Sequence, residues 1–267
     1  MLMKIGAAIV AVAAAGAACG RWLAPYDPLA QELSLRLAGP SLGHPFGLDE
    51  LGRDILARVL AGAQISFLVS VIVVSISATI GTLIGALGGY FGGILDDVIG
   101  RTVDLLLAFP GLLLAVALVA VLGPSFGNVL VALTVVGWVA YARLVRGLVL
   151  RTRELEYVQA AKALGAGWPR VLFRHVVPSV LPSVAVQGAL GMAGAVIGEA
   201  ALSFLGLGVQ APTPSWGTML SGGRAHLLDA PHLTVFPGLA MALLVAGFTF
   251  LGDGFRELAA EPRRRQP

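Results

Sequence analysis

Charge is what this sequence has least of. Asp, Glu, Lys and Arg make up 12% of its 267 residues, against about 25% in an ordinary soluble domain. That shortfall excludes a typical water-soluble enzyme, a disordered regulator and a nucleic-acid-binding module. Lysine is nearly missing. Lys4 and Lys162 stand alone, and neither follows a Gly-x-x-x-x-Gly turn, so the chain holds no Walker-type ATP site. A single cysteine, Cys19, excludes a disulfide framework and a multi-cysteine metal centre. His44, His175, His226 and His232 are scattered through polar segments without metal-ligand spacing, so they read as structural or solvated. No nucleophile-and-base pair stands out. The sequence therefore points to no catalytic residue, no metal and no cofactor on this chain.

What is abundant is apolar. Hydrophobic residues make up 57%, and mean hydropathy is +0.86. Six runs appear in order: 5–24, 65–87, 103–122, 129–144, 179–207 and 235–251. Their length and near-absence of charge predict six transmembrane helices. Backbone groups in hydrocarbon must be satisfied within the segment, so these runs must be helices rather than open strands. The first run also has the look of a secretory signal ending at Cys19. Gly16 stands where a lipoprotein signal wants a larger aliphatic residue, and five spans follow, so the reading adopted is a retained first helix.

The basic residues set an orientation. With the N-terminus inside, thirteen of eighteen Lys and Arg fall on inside segments, the triple-arginine tail 263–265 among them, and seven cluster around residues 142–178. This bias predicts both termini in the cytoplasm and an even number of spans. The expected organisation is a first helix to residue 24, an external segment 25–62, a five-helix core 63–256 with an inside loop at 147–178, and a cytoplasmic tail 257–267. In the external segment, Asp49 is expected to cap a short amphipathic helix lying on the outer membrane face, carrying Leu51, Ile55 and Val59 at intervals of four. Pro212, Pro214 and Pro231 predict an irregular outer loop over 206–234.

No ionisable residue falls near the middle of a run. Asp104, Glu199 and Asp253 lie near run ends, where charges are usually hydrated or capping. A proton- or sodium-coupled carrier would need such groups at the midplane, so that class is disfavoured. Glu199 is the best candidate for the mouth of a pathway, followed by Ser203 and Trp216. Trp216 has an equal alternative as an interfacial anchor. Gly81, Gly85, Gly89 and Gly93 recur every four residues and permit close helix contact, within the chain or with a partner.

The inside loop is more than a connector. Residues 154–164 are good helix formers. Acidic residues open the run and Gly165 and Gly167 close it. Trp168-Pro169 opens a second helix, with an apolar stripe at Val171, Leu172 and Val176. Pro178 and Pro182 are expected to bend the entry into the fifth span. The result is a helix-turn-helix projecting from the membrane, with small residues Ala160, Ala161 and Ala163 on a face that another protein can approach closely.

Here a resemblance becomes specific. Glu156-Tyr157-Val158-Gln159-Ala160-Ala161-Lys162-Ala163-Leu164-Gly165, with Val177-Pro178 beyond, resembles the "EAA" loop of binding-protein-dependent ABC import permeases. Residues 44–54, 202–217, 236–238 and 251–254 are similar to the peptide/nickel branch, in particular to its "C"-type permease subunit. The likeness runs in order over residues 22–256. It implies an all-α membrane protein of type I ABC importer permease architecture. It also implies a second permease, two ATPase subunits holding ATP and Mg, and an extracellular or periplasmic substrate-binding protein. Glu156, Tyr157, Gln159, Ala160, Ala161, Leu164 and Gly165 are then the ATPase-coupling residues. Gln159 departs from the usual Glu, Leu48 from the usual Thr, and Gln64 from the common Arg. The substrates implied are di- and oligopeptides, with nickel chelates or haem as alternatives handled by the same machinery, and the location is the bacterial inner membrane.

Overall fold

A computed structural model describes residues 2–264 of the chain, so Arg265 of the triple-arginine tail lies outside the described residues. Among the described residues the fold is ten α-helices without a sheet: α1 (Leu2–Leu23), α2 (Ile55–Phe91), α3 (Gly93–Leu107), α4 (Gly111–Leu122), α5 (Phe126–Thr152), α6 (Glu156–Ala163), α7 (Trp168–Val171), α8 (Val177–Phe204), α9 (Trp216–Gly223) and α10 (His232–Arg264). Five stretches are long and apolar enough to cross a bilayer, and the bent pair α3–α4 supplies the sixth. The six-span reading is met in this form.

Helix α2 is the longest element, at 37 residues. At ~1.5 Å per residue it reaches roughly 55 Å, well beyond a hydrocarbon core of ~30 Å. It starts ten residues before the apolar run at 65. Asp54, not Asp49, caps it: the Asp54 carboxylate accepts from the Ala57 amide at 2.8 Å. The separate amphipathic helix expected around Asp49 does not exist. Ile55 and Val59 are the first turns of α2 and are buried against Trp216 and Leu233, so protein rather than lipid covers them.

The glycine series has a definite partner. A Cβ at Gly81 would strike the Trp138 carbonyl, one at Gly85 the Ala142 carbonyl, and one at Gly89 the Arg146 carbonyl at 2.8 Å. Three of the four glycines thus seat α2 directly on the α5 backbone of the same chain. Gly93 is different. It follows Gly92, both have positive φ (69° and 58°), and they turn the chain from α2 into α3.

The third apolar run is broken. α3 and α4 meet at 86°, because Pro110 has no N–H to donate and disfavours a helical residue before it. Both pieces still follow α5. Val103 packs on Val139 and Ala142, and Ala115 and Val119 pack on Val129 and Ala132. α4 alone is 12 residues, roughly 18 Å, too short to span.

Further details bear on the sequence reading. Gly123-Pro124-Ser125-Phe126-Gly127 spells a nucleophile-elbow string, yet Ser125 is the cap of α5, accepting from Asn128 N at 3.1 Å. The outer loop 206–234 is not irregular throughout, since it holds α9, opened by a Ser215–Thr218 capping box. Pro182 sits inside α8 without ending it, and the irregularity at its entry is a π-type turn over Leu172–Val176. The expected tail from 257 is helical as far as Arg264. α1 lies along α10, with Gly6 against the Gly247 carbonyl and Gly254 against Met3.

The α2–α5 seam yields a test. Gly85→Val lowers the thermal unfolding midpoint of the detergent-purified chain, since overpacking costs about 1–3 kcal/mol. Gly147→Ala, where an added Cβ meets nothing within 4 Å, leaves the midpoint unchanged or slightly raised.

Candidate functional site: a projecting loop and a closed joint

At one end of the bundle, α6 and α7 form the expected helix-turn-helix. Glu156 in the first turn and Lys162 in the last suit the dipole of α6. Its end is a tight glycine cap. Gly165 has φ +79°, its amide donates to Lys162 O at 2.9 Å, and Ala166 N donates to Ala161 O at 3.1 Å. One residue anchors the helix. Val158 is fully buried beside Val171, Leu172 and Val176, and this cluster continues into Val145 and Val149 of α5. Val158 was not among the expected residues, although it is the apolar position of α6 that faces the stripe of α7.

The remaining residues of α6 face outward. Glu156, Gln159, Ala160 and Gly165 are exposed and Ala161 is half-buried. Leu164 is 88% exposed, and Leu155, Tyr157 and Trp168 are each close to half exposed. The Tyr157 hydroxyl donates to His175 O at 3.4 Å, tying α6 to the π-type turn. The Lys162 ammonium lies 5.4 Å from the Tyr90 ring centre. Gln159 is turned back on its own chain: its amide donates to Arg153 O at 2.8 Å. Small and apolar groups thus share a projecting face on a rigid anchor.

At the opposite end, Glu199, Ser203 and Trp216 come together, but not as the lining of an open mouth. Glu199 has no exposed surface. Ser203 Oγ donates to its Oε1 at 2.7 Å and Ser66 Oγ to its Oε2 at 3.4 Å. Trp216 is 2% exposed, and its indole N–H donates to Val59 O at 3.0 Å. Gly62 and Gly217 let the ring and the α9 backbone come that close to α2 and α8. The hydrated position expected for Glu199 and the interfacial anchor considered for Trp216 are both corrected: the cluster is a buried joint between α2, α8 and α9. A buried carboxyl tolerates this site because hydroxyl donors answer both of its oxygens.

The segment 44–54 is a folded plug beside this joint, which spacing alone did not reveal. Asp49 accepts from Leu51 N, Arg53 N and Arg53 Nε at 2.7–3.0 Å, and Arg58 Nε lies 3.4 Å from the same carboxylate. His44 Nδ1 sits 2.9 Å from Asp54. Phe46 stacks on Phe236 of α10 with ring centres 4.0 Å apart. His44 is therefore structural, as expected.

Between the two ends a cavity of about 330 Å³ opens beside the α3–α4 break. Ser77, Gly111, Tyr141, Gln187, Gly191 and Gly198 are among its lining residues, with no carboxylate, lysine, arginine or histidine. Among the described residues no cluster of three metal-ligating side chains occurs.

Residues 81–265 match the family described as the binding-protein-dependent transport system inner membrane component. The matched stretch starts within α2 and takes in the whole projecting loop. The chain is also similar to glutathione transport system permease proteins GsiD. It is 48% identical over 244 residues to that of Shigella flexneri serotype 5b (strain 8401), covering 91% of this chain and 80% of the relative. It is 46% identical, with the same coverage, to those of Escherichia coli O6:K15:H31 (strain 536 / UPEC) and Shigella boydii serotype 4 (strain Sb227).

The joint can be tested apart from transport. Trp216→Ala empties a buried aromatic site and costs roughly 3–5 kcal/mol. Trp216→Phe, which keeps the ring but drops the bond to Val59 O, costs about 1 kcal/mol. Thermal unfolding in detergent ranks wild type above Trp216→Phe and Trp216→Phe above Trp216→Ala.

Proposed function

The chain belongs to the family of binding-protein-dependent transport system inner membrane components, a multi-pass permease subunit of an ABC importer, and from that premise we propose that it imports small peptides. Glutathione, the cargo in the relatives' names, is the first candidate, with di- and oligopeptides as the wider class. The projecting α6 face is the observation that carries the proposed mechanism. Val158 fixes the helix to α5, while Ala160, Leu164 and Gly165 stand free to meet another protein. We place that end in the cytoplasm, in line with the basic residues around it, and assign it to docking on partner ATPase subunits that hold ATP and Mg. A second permease completes the pathway, and an external binding protein delivers the cargo.

Alternating access follows if the docked ATPases close and drag α6 with them. The cavity beside the α3–α4 break would then form part of this chain's share of the route. Its lining offers hydroxyl, phenol and amide groups without a fixed charge, which suits a driving force that comes from ATP rather than from a coupled ion. Glu199, Ser203 and Trp216 serve the outer gate as its joint, holding α9 to the spans.

Two measurements test the proposal. Uptake of radiolabelled glutathione and of a labelled dipeptide by the reconstituted complex is expected to resist nickel and haem competitors. Inhibition by either competitor would move the substrate out of the peptide class. Ala160→Trp, at an exposed helical position, is expected to abolish co-purification of the ATPase and uptake together while the chain still inserts. Gly165→Leu is expected to do the same, with added backbone strain at φ +79°. Retained ATPase in both variants would overturn the docking role.

A further inference from the structure

Two arginines, Arg146 of α5 and Arg153 at the end of that helix, grip the chain on either side of the Gly92–Gly93 turn. Arg153 Nη1 donates to Gly89 O at 2.9 Å and Tyr90 O at 3.3 Å, so it caps the carbonyl end of α2. Arg146, two helical turns earlier on the same face of α5, holds Asp96 of α3 with both arms of its fork: Nε to Oδ1, and Nη2 to Oδ2 at 2.8 Å. The guanidinium lies against Gly100, where a Cβ would stand 3.4 Å from Cζ. The two glycines between these grips have positive φ, a backbone state that side chains resist. The turn therefore has one clamp on each side of it.

The clamp on the α2 side continues to the projecting loop. Arg153 Nε donates to Glu154 Oε1 at 2.9 Å, and the Gln159 amide donates to the Arg153 carbonyl at 2.8 Å and toward Glu154 Oε2 at 3.5 Å. Gln159 is the motif position where the family usually carries Glu. A glutamate could donate to neither acceptor and would face the Glu154 carboxylate. Glutamine turns the position into a link between α6 and the clamp. The clamp on the α3 side continues the other way, through α3 to the 86° break and to Gly111 at the cavity.

We propose that Arg146 and Arg153 are positioning residues that transmit displacement of α6 to the broken span α3–α4 across the Gly92–Gly93 hinge. This rests on the docking role proposed for α6. Neither residue touches cargo. Arg146 converts a shift of the α5–α6 corner into a rotation of α3, because its two-armed guanidinium contact fixes direction as well as distance, while Arg153 holds the end of α2 through Nη1. Lysine keeps the charge but loses the fork, so it separates transmission from simple charge balance.

The test uses the complete importer with its ATPases and binding protein in proteoliposomes. ATP hydrolysis, cargo uptake and thermal midpoint are read on the same preparations. Arg146→Lys and Arg153→Lys are expected to keep co-purified ATPase and hydrolysis within about twofold of wild type, while cargo moved per ATP falls roughly tenfold. Exchanging the pair, Asp96→Arg with Arg146→Asp, is expected to recover most of the coupling that Arg146→Asp alone loses. Three outcomes overturn the inference: an unchanged ratio of uptake to hydrolysis, a parallel fall of both that tracks a lowered midpoint, or an exchange that recovers nothing. Failure of the docking role shows differently, as ATPase retained by both Ala160→Trp and Gly165→Leu.

Discussion

The architecture depends on how closely α2 approaches α5. Gly81, Gly85 and Gly89 let the α2 backbone rest on the carbonyls of Trp138, Ala142 and Arg146. In a lipid environment apolar side chains gain little by leaving acyl chains for one another, so close backbone packing is what can hold two spans together. The seam does more than join a pair. It fixes α5 as a spine, and the broken span and the projecting loop are placed by their contact with it. α3 and α4 lie along its length despite the break between them, and α6 is pinned to its end through Val158, Val145 and Val149.

A spine with a broken helix beside it resolves a conflict. A transporter needs rigid parts to carry force and a weak place to yield. Unbroken helices are stiff, because each backbone bond supports the next. Breaks are tolerated at membrane depth where protein or a cavity covers them. Here the breaks lie at Gly92–Gly93 and at Ala108–Pro110, on either side of α3. The first is crossed by arginine clamps and the second opens beside the cavity. The stiff members and the yielding members are thus different segments, and they meet at a few polar contacts.

Much of this was legible in the sequence, and the losses have physical causes. Span number and the projecting loop could be read because bilayer thickness and helix periodicity constrain composition directly. The α6 cap could be read because a positive φ selects glycine at 165. Asp49 was misplaced because Asp49 and Asp54 are equally good caps by residue type. The choice fell to Asp54 because Asp49 is occupied by Arg53 and Arg58. Glu199 was taken for a hydrated helix end because its donors, Ser66 and Ser203, come from two elements, one of them 133 residues away. Trp216 was misjudged for a similar reason, its acceptor being a carbonyl of α2. α9 was hidden by flanking prolines that mark a loop, although Ser215 and Thr218 had the spacing of a cap. Local rules located local features, and the joints between distant segments were lost.

The scarcity of charge takes on a sharper meaning once the charges are placed. Asp96, Arg146 and Arg153 hold the α2–α3 turn, Asp49, Arg53 and Arg58 hold the plug, and Glu199 ties α8 to α2. Each is paired or hydrogen-bonded at a junction between elements. A group bound in this way is poorly suited to take up and release an ion in every cycle, because each release would leave its partner unanswered. The cavity, where cargo would pass, has no such group. In this chain these ionisable side chains serve as joints, which fits the proposal that the energy for movement enters from outside the spans. The projecting α6 surface is the place proposed for a partner to deliver it.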